Sequence, residues 1–169
     1  TKQDGGALSN ILEKFISIAR QEAQEKGCDV SVVIFEKLKE LNDYTDGYNF
    51  ATAVSKYWEG YDTGNDVLKE NALKWLRGEY TSKIETMRDL SIREYINDAA
   101  FYNSLKLYSI LVRKAGYKGL LINLDEMVNL YKIPTSVSRK SNYEVILNIL
   151  NDTLQGNLSG IGFVMGGTP

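Results

Sequence analysis

Histidine is absent from the 169 residues. No imidazole base is available within the chain, which closes Ser-His-Asp and Cys-His nucleophilic chemistry. One cysteine, Cys28, rules out an intrachain disulfide, and with no histidine beside it no zinc cluster can be assembled. It lies at a predicted helix boundary, where inert packing is the expectation. No apolar run approaches the roughly 20 residues that span a bilayer. The opening Thr1-Lys2-Gln3-Asp4-Gly5-Gly6 lacks a basic-then-apolar signal pattern. A cytoplasmic protein without membrane contact is therefore expected, and the formal glycosylation sequons at Asn151 and Asn157 read as chance. An excess of one charge is also missing, since 20 Lys and Arg face 22 Asp and Glu, a formal −2. That balance gives no uniform field for nucleic acid or anionic lipid and leaves room only for a local basic patch. With 43% apolar residues the composition is that of an ordinary globular chain of single-domain length, not a disordered, collagenous or disulfide-built one.

Hydrophobic periodicity organises what is present. From Ala7 to Lys26 the residues Leu8, Ile11, Leu12, Phe15, Ile16, Ala19 and Ala23 recur at three- and four-residue intervals, the stripe of an amphipathic helix that Gly27 ends. A second helix is predicted from Asp29 or Ser31 to Leu41, capped by one of those side chains, although Val30 to Phe35 also reads as a strand. After a turn-rich stretch from Asn42 to Gly47, helices fit Asn49 to Trp58 and Asn65 to Arg77, with the polar, two-glycine segment 59–64 between them. Ser82 and Glu85 have capping-box spacing and predict a short helical turn. Asp98 to Lys114 is apolar on so many sides that a substantially buried helix is expected.

The texture changes at Gly116. Leu120-Leu121-Ile122-Asn123-Leu124 is nearly continuous in apolar residues and predicts a parallel strand covered on both faces. A polar loop is expected from Thr135 to Ser141, then a helix carrying Tyr143, Ile146, Leu147, Ile149, Leu150 and Leu154, then a strand at Ile161-Gly162-Phe163-Val164-Met165. Strand, helix, strand is a parallel crossover. The fold class expected is α/β, a mainly helical first half followed by a β-α-β unit. The 11 tyrosines scatter through the helices, where amphipathic rings at a core boundary are the usual reason.

The apolar strand closes on two acids, Asp125-Glu126. In an open parallel sheet ligands gather at the carboxyl ends of the strands. Asp125, at the tip, is placed to hold Mg²⁺, a hard cation that takes oxygen ligands. Glu126 is placed to orient and polarise a water for attack on a γ-phosphate. This is a Walker B pattern, although apolar runs ending in Asp-Glu also simply finish strands in solvent. Gly166-Gly167-Thr168 at the end of the second strand sets the Thr168 hydroxyl beside the acids if the strands are neighbours, a sensor position; the same residues also read as a plain turn.

Trp75-Leu76-Arg77-Gly78-Glu79, Ile96-Asn97-Asp98, Ala115-Gly116-Tyr117-Lys118-Gly119-Leu120-Leu121, Leu124-Asp125-Glu126, Arg139-Lys140-Ser141-Asn142-Tyr143 and Gly166-Gly167-Thr168-Pro169 follow one another in this order. The combination resembles the ATP-binding proteins of BREX-type phage-defence systems, P-loop ATPases of the AAA+-like branch. The resemblance is close over Lys74 to Pro169 and looser before it. It implies an ATPase using ATP and Mg²⁺, with Asp125 as metal ligand, Asp125 and Glu126 as Walker B, and Thr168 ending the sensor strand. Arg139 and Tyr143 match family positions without an assigned role. The chain departs from the family in having no G-x-x-x-x-G-K-[ST] phosphate loop.

On this reading residues 1–115 are the helical region between Walker A and Walker B, and residues 116–169 are an incomplete piece of the P-loop sheet. The expected partner is then the missing remainder of the ATPase domain. The edge at Ile161 to Met165, left without its neighbour, is expected either to drive self-association or to be protected by the chain's own helices. The fragment alone is expected to be inactive. Two other classes compete. One is a non-enzymatic helical interaction or regulatory module. The other is DNA binding through Lys132, Arg139 and Lys140, in a system whose further partners would be defence proteins.

Overall fold

The structure, a computed structural model, describes residues 6–125, 127–156 and 159–167. It is mainly helical, with one small parallel sheet of two strands. The chain divides into two compact units, Thr1–Tyr117 and Lys118–Pro169. Among the described residues no helix is long and apolar enough to cross a membrane.

The first unit contains α1 (Gly6–Lys26), α2 (Val30–Lys39), α3 (Gly47–Thr63), α4 (Asp66–Leu76), α5 (Lys83–Leu90) and α6 (Phe101–Lys114), with a 3-10 turn at Glu40–Asp43. The stripe on α1 is buried as its spacing predicts: Leu12, Phe15, Ile16, Ala19 and Ala23 all enter the core. The ambiguous run after Cys28 is helical. Asp29 caps it, its carboxylate accepting from the Ser31 backbone N–H at 2.8 Å. That bond to one of the otherwise unpaired amides of the first turn decides for helix over strand.

The two-glycine segment 59–64 does not separate two helices as expected; α3 runs through it to Thr63. Gly60 is buried inside the helix, and the α4 backbone comes so close that a Cβ there would lie 2.7 Å from Lys69 N and 2.9 Å from Asn65 O. The glycine is there for close helix approach. Gly64, with φ +70°, ends the helix, and the Asn65 side chain caps α4 by accepting from Leu68 N at 3.1 Å.

At the centre of the unit Phe50 of α3 meets Trp75 and Tyr108 edge-on, with ring centroids 6.4 and 4.9 Å away. Both partners have their polar tips satisfied. Trp75 Nε1 donates to the Glu94 carbonyl at 2.8 Å, and the Tyr108 hydroxyl donates to the Leu76 carbonyl.

Three further expectations change here. Ser82 stands at the N-cap of α5 without a side-chain cap bond, and the element is a full helix of 8 residues rather than a single turn. The α6 helix begins at Phe101 instead of Asp98, because the Asn97 side chain captures the Ala100 N–H at 3.0 Å and closes a turn first. Cys28 is exposed, not packed. It lies in the short break after α1, where its own N–H reaches back to the Ala23 carbonyl at 3.1 Å and its side chain is left outside the core.

The second unit holds β1 (Leu120–Leu124), a 3-10 segment (Met127–Lys132), α7 (Ser136–Leu154) and β2 (Ile161–Met165). The strands pair in parallel, Leu120 with Ile161 through Leu124 with Met165. Two corrections arise. β1 is not covered on both faces: Leu121 is 67% exposed and Val164, on the same face of the sheet, is 51% exposed. A two-stranded sheet joined by one crossover helix can have only one face covered by that helix. The stretch from Ser136 to Ser141 is helix, not loop, because the Thr135 hydroxyl accepts from Ser138 N and starts α7 several residues earlier.

Candidate functional site at the ends of the parallel strands

Parallel pairing puts the carboxyl ends of β1 and β2 at the same edge of the sheet. The ladder continues one step past the register. Gly166 N donates to the Leu124 carbonyl at 2.8 Å, and the Gly166 carbonyl accepts from Met127 N at 3.0 Å. Gly166 therefore holds the chain on either side of Asp125. Its missing side chain also matters, since a Cβ there would lie 3.3 Å from Asp125 Oδ1. The Asp125 carboxylate sits over that glycine and is exposed to solvent.

Asp125 is thus brought beside the glycine pair that precedes Thr168. Glu126 and Thr168 themselves lie outside the described residues. Among the described residues no group of three or more acids or cysteines gathers into a metal cage. Magnesium in nucleotide sites does not need one, because it takes one or two carboxylates and leaves its other positions to phosphate and water. An exposed, hard-oxygen donor at a strand tip, above a glycine that keeps the space open, fits that demand.

Arg139 has a structural occupation that its sequence position did not announce. Its guanidinium donates to the carbonyl of Ile133 at 3.0 Å and of Tyr131 at 3.5 Å, fastening the 3-10 segment to the first turns of α7. Lys140 stands 3.9 Å from Glu144, one helical turn on, and Lys132 lies over the Tyr131 ring at 5.8 Å. Each of the three cations of this stretch thus has a neighbour within its own unit. Tyr143 is half-exposed on α7.

A family model described as BREX system ATP-binding protein BrxC/D matches residues 1–169. The chain belongs to this family. Membership extends over the first 70 residues, where the resemblance read from motifs is loose, and so takes in the whole helical unit. ATP is the ligand the family is described by, and the BREX systems supply the setting of its partners. No curated protein and no solved structure matches the chain.

Proposed function

We propose that residues 118–169 supply the acidic strand and the adjoining sensor strand of an ATP site, in a P-loop ATPase that couples nucleotide binding and hydrolysis to a conformational step in phage defence. The observation that carries this reading is the parallel, in-register pairing of β1 with β2, which sets Asp125 beside Gly166 at the carboxyl ends of both strands. Ligands of open parallel sheets collect at such ends. Family membership supports the choice of ATP as that ligand.

In this assignment Asp125 holds Mg²⁺, directly or through a coordinated water. Bound magnesium supplies charge neutralisation at the phosphates. Glu126 orients the attacking water and draws a proton from it, and the Thr168 hydroxyl reports on the γ-phosphate from the neighbouring strand. Residues 1–115 form the helical region between Walker A and Walker B. The 169 residues contain no G-x-x-x-x-G-K-[ST], so the phosphate cradle is assigned to a part of the protein outside them. The edge of β2 that pairs with no strand among the described residues, and the exposed face bearing Leu121 and Val164, are where further sheet and helix would dock.

The test is carried out on the intact protein with two single variants. Glu126→Gln is expected to bind ATP as the parent does and to lose turnover by about 10²–10⁴-fold, the usual contribution of a positioned base. Asp125→Asn is expected to weaken binding of ATP with Mg²⁺ far more than binding of ATP without it. Undiminished phosphate release from Glu126→Gln refutes the base assignment, and equal loss with and without magnesium in Asp125→Asn refutes the metal assignment.

A further inference from the structure

We infer that Arg139 is a positioning residue of the ATP site, holding from α7 the segment through which the chain leaves Asp125. The inference rests on the ATP-site reading above and adds to it a residue at the far end of that segment. Residues 127–133 carry the backbone from the tip of β1 towards α7, and no side chain described among them is buried. Packing therefore does little to fix their course, and hydrogen bonds at the two ends take over that task. At the near end Met127 N donates to the carbonyl of Gly166, the glycine beneath Asp125, at 3.0 Å. At the far end the donor is Arg139.

The sequence explains why a side chain is needed there. In a 3-10 segment each carbonyl accepts from the N–H three residues on. Ile133 N follows that rule at the end of Met127–Lys132, donating to the Leu130 carbonyl at 3.4 Å. The next such bond would join the Tyr131 carbonyl to residue 134, which is proline and has no N–H. The Arg139 guanidinium supplies the missing donor. Its Nη1 donates to the Ile133 carbonyl at 3.0 Å and to the Tyr131 carbonyl at 3.5 Å. Arg139 is half-buried and closes the first turn of α7, its own N–H reaching the Thr135 carbonyl at 3.0 Å. A cation is disfavoured at that end of a helix, where free N–H groups already carry partial positive charge. Its charge therefore does not serve α7; the two carbonyl oxygens of the neighbouring segment are what offset it.

Both ends act on one span. A 3-10 segment has poor hydrogen-bond geometry of its own, so releasing it from Arg139 lets it drift, and the error is delivered at the acidic tip. Misplacement of a reacting group by about 1 Å can slow chemistry about a hundredfold. ATP binding draws chiefly on the phosphate cradle, assigned above to another part of the protein, and changes little.

The test uses the intact protein. Arg139→Met keeps the length of the stem and removes the donors, whereas Arg139→Lys restores several N–H groups on one nitrogen. Phosphate release gives kcat and KM, a fluorescent ATP analogue gives affinity, and rates are referred to the folded fraction measured by circular dichroism. Arg139→Met is expected to lower kcat roughly ten- to hundredfold while KM and affinity stay within about twofold of the parent, as when an outer partner of a site is removed. Arg139→Lys is expected to recover most of the lost rate. A parent-like kcat in Arg139→Met overturns the inference, as does a loss that appears in KM or affinity instead, or a lysine variant as slow as the methionine one. Glu126→Gln is run alongside. If it turns over as the parent does, the ATP-site reading fails and this inference with it; if it is slow and Arg139→Met is not, the inference fails alone.

Discussion

Replacing Gly60 by alanine adds one methyl group to the interior of α3, and two effects of opposite sign follow. Helix propensity favours the change by about 1 kcal/mol, because glycine pays more backbone entropy than alanine in a helix. Space opposes it. The new carbon would lie 2.7 Å from Lys69 N, 2.9 Å from Asn65 O and 3.1 Å from Lys69 Cα. Lys69 N and Asn65 O are the two ends of a 3.1 Å hydrogen bond in the first turn of α4, so the methyl group presses on the turn that the Asn65 cap starts. No side chain can swing aside, since all three atoms are backbone. Relief requires α4 to retreat by several tenths of an ångström along its contact with α3, and overpacking of that kind costs roughly 1–3 kcal/mol. Two backbone contacts below 3.0 Å put the cost in the upper part of that range, about 2–3 kcal/mol, so the net expectation is a loss of about 1–2 kcal/mol, which for a unit of this size lowers the melting temperature by roughly 3–10 °C. Thermal unfolding followed by circular dichroism measures it, with Gly64→Ala as a companion. At Gly64 nothing lies within 4 Å and only the φ of +70° opposes a side chain. A melting temperature for Gly60→Ala at or above the parent's would show that propensity wins and that α3 and α4 are not in the close contact described.

Two further outcomes follow from buried tyrosines. Tyr108→Phe strands the Leu76 carbonyl without its hydroxyl donor; a loss of about 1–3 kcal/mol in urea titration is expected, and a neutral effect would mean that the bond contributes nothing. The Tyr57 phenol is pushed up to about 12, first by burial and then by Glu13. Burial raises Tyr80 and Tyr108 as well, Tyr80 with help from Asp89. These groups stay protonated in the fold above the pH at which they ionise in the unfolded chain. Their contribution to stability is therefore complete below about pH 10 and drains away as the pH rises towards 12. Denaturant midpoints should hold steady between about pH 7 and 9 and fall steeply beyond 10; a flat profile to pH 12 would refute the burial of the phenols.

The helical stripe of α1, the cap at Asp29 and both strands could be read from the chain because each is specified locally, by periodicity or by one side chain reaching one backbone group. Gly60 shows where local reading stops. A glycine between polar residues looks like a break until the neighbouring helix that needs the space is known. Thr135 and Asn97 misled in a similar way, as single side-chain bonds moved the start of α7 earlier and of α6 later than the apolar pattern indicated. The burial of β1 was misjudged because a run of apolar residues says that a strand can be covered, not that a cover is present. At the candidate site the position of Asp125 was legible as the polar end of an apolar strand. The part played by Gly166 was not, since its bonds to Leu124 and Met127 join residues roughly forty positions apart, a separation typical of parallel crossovers.

The long excursion between β1 and β2 also sets an order of events during synthesis. Most contacts within the helical unit join neighbouring helices, α1 with α2 and α3 with α4, so they can form while the later part of the chain is still being made. Leu120 to Leu124 have no such local option. They emerge from the ribosome as an apolar strand and must wait for the whole of α7 to follow before Ile161 to Met165 arrive to pair with them. At elongation rates of roughly 5–20 residues per second that interval lasts seconds, during which this five-residue ribbon has no strand to pair with.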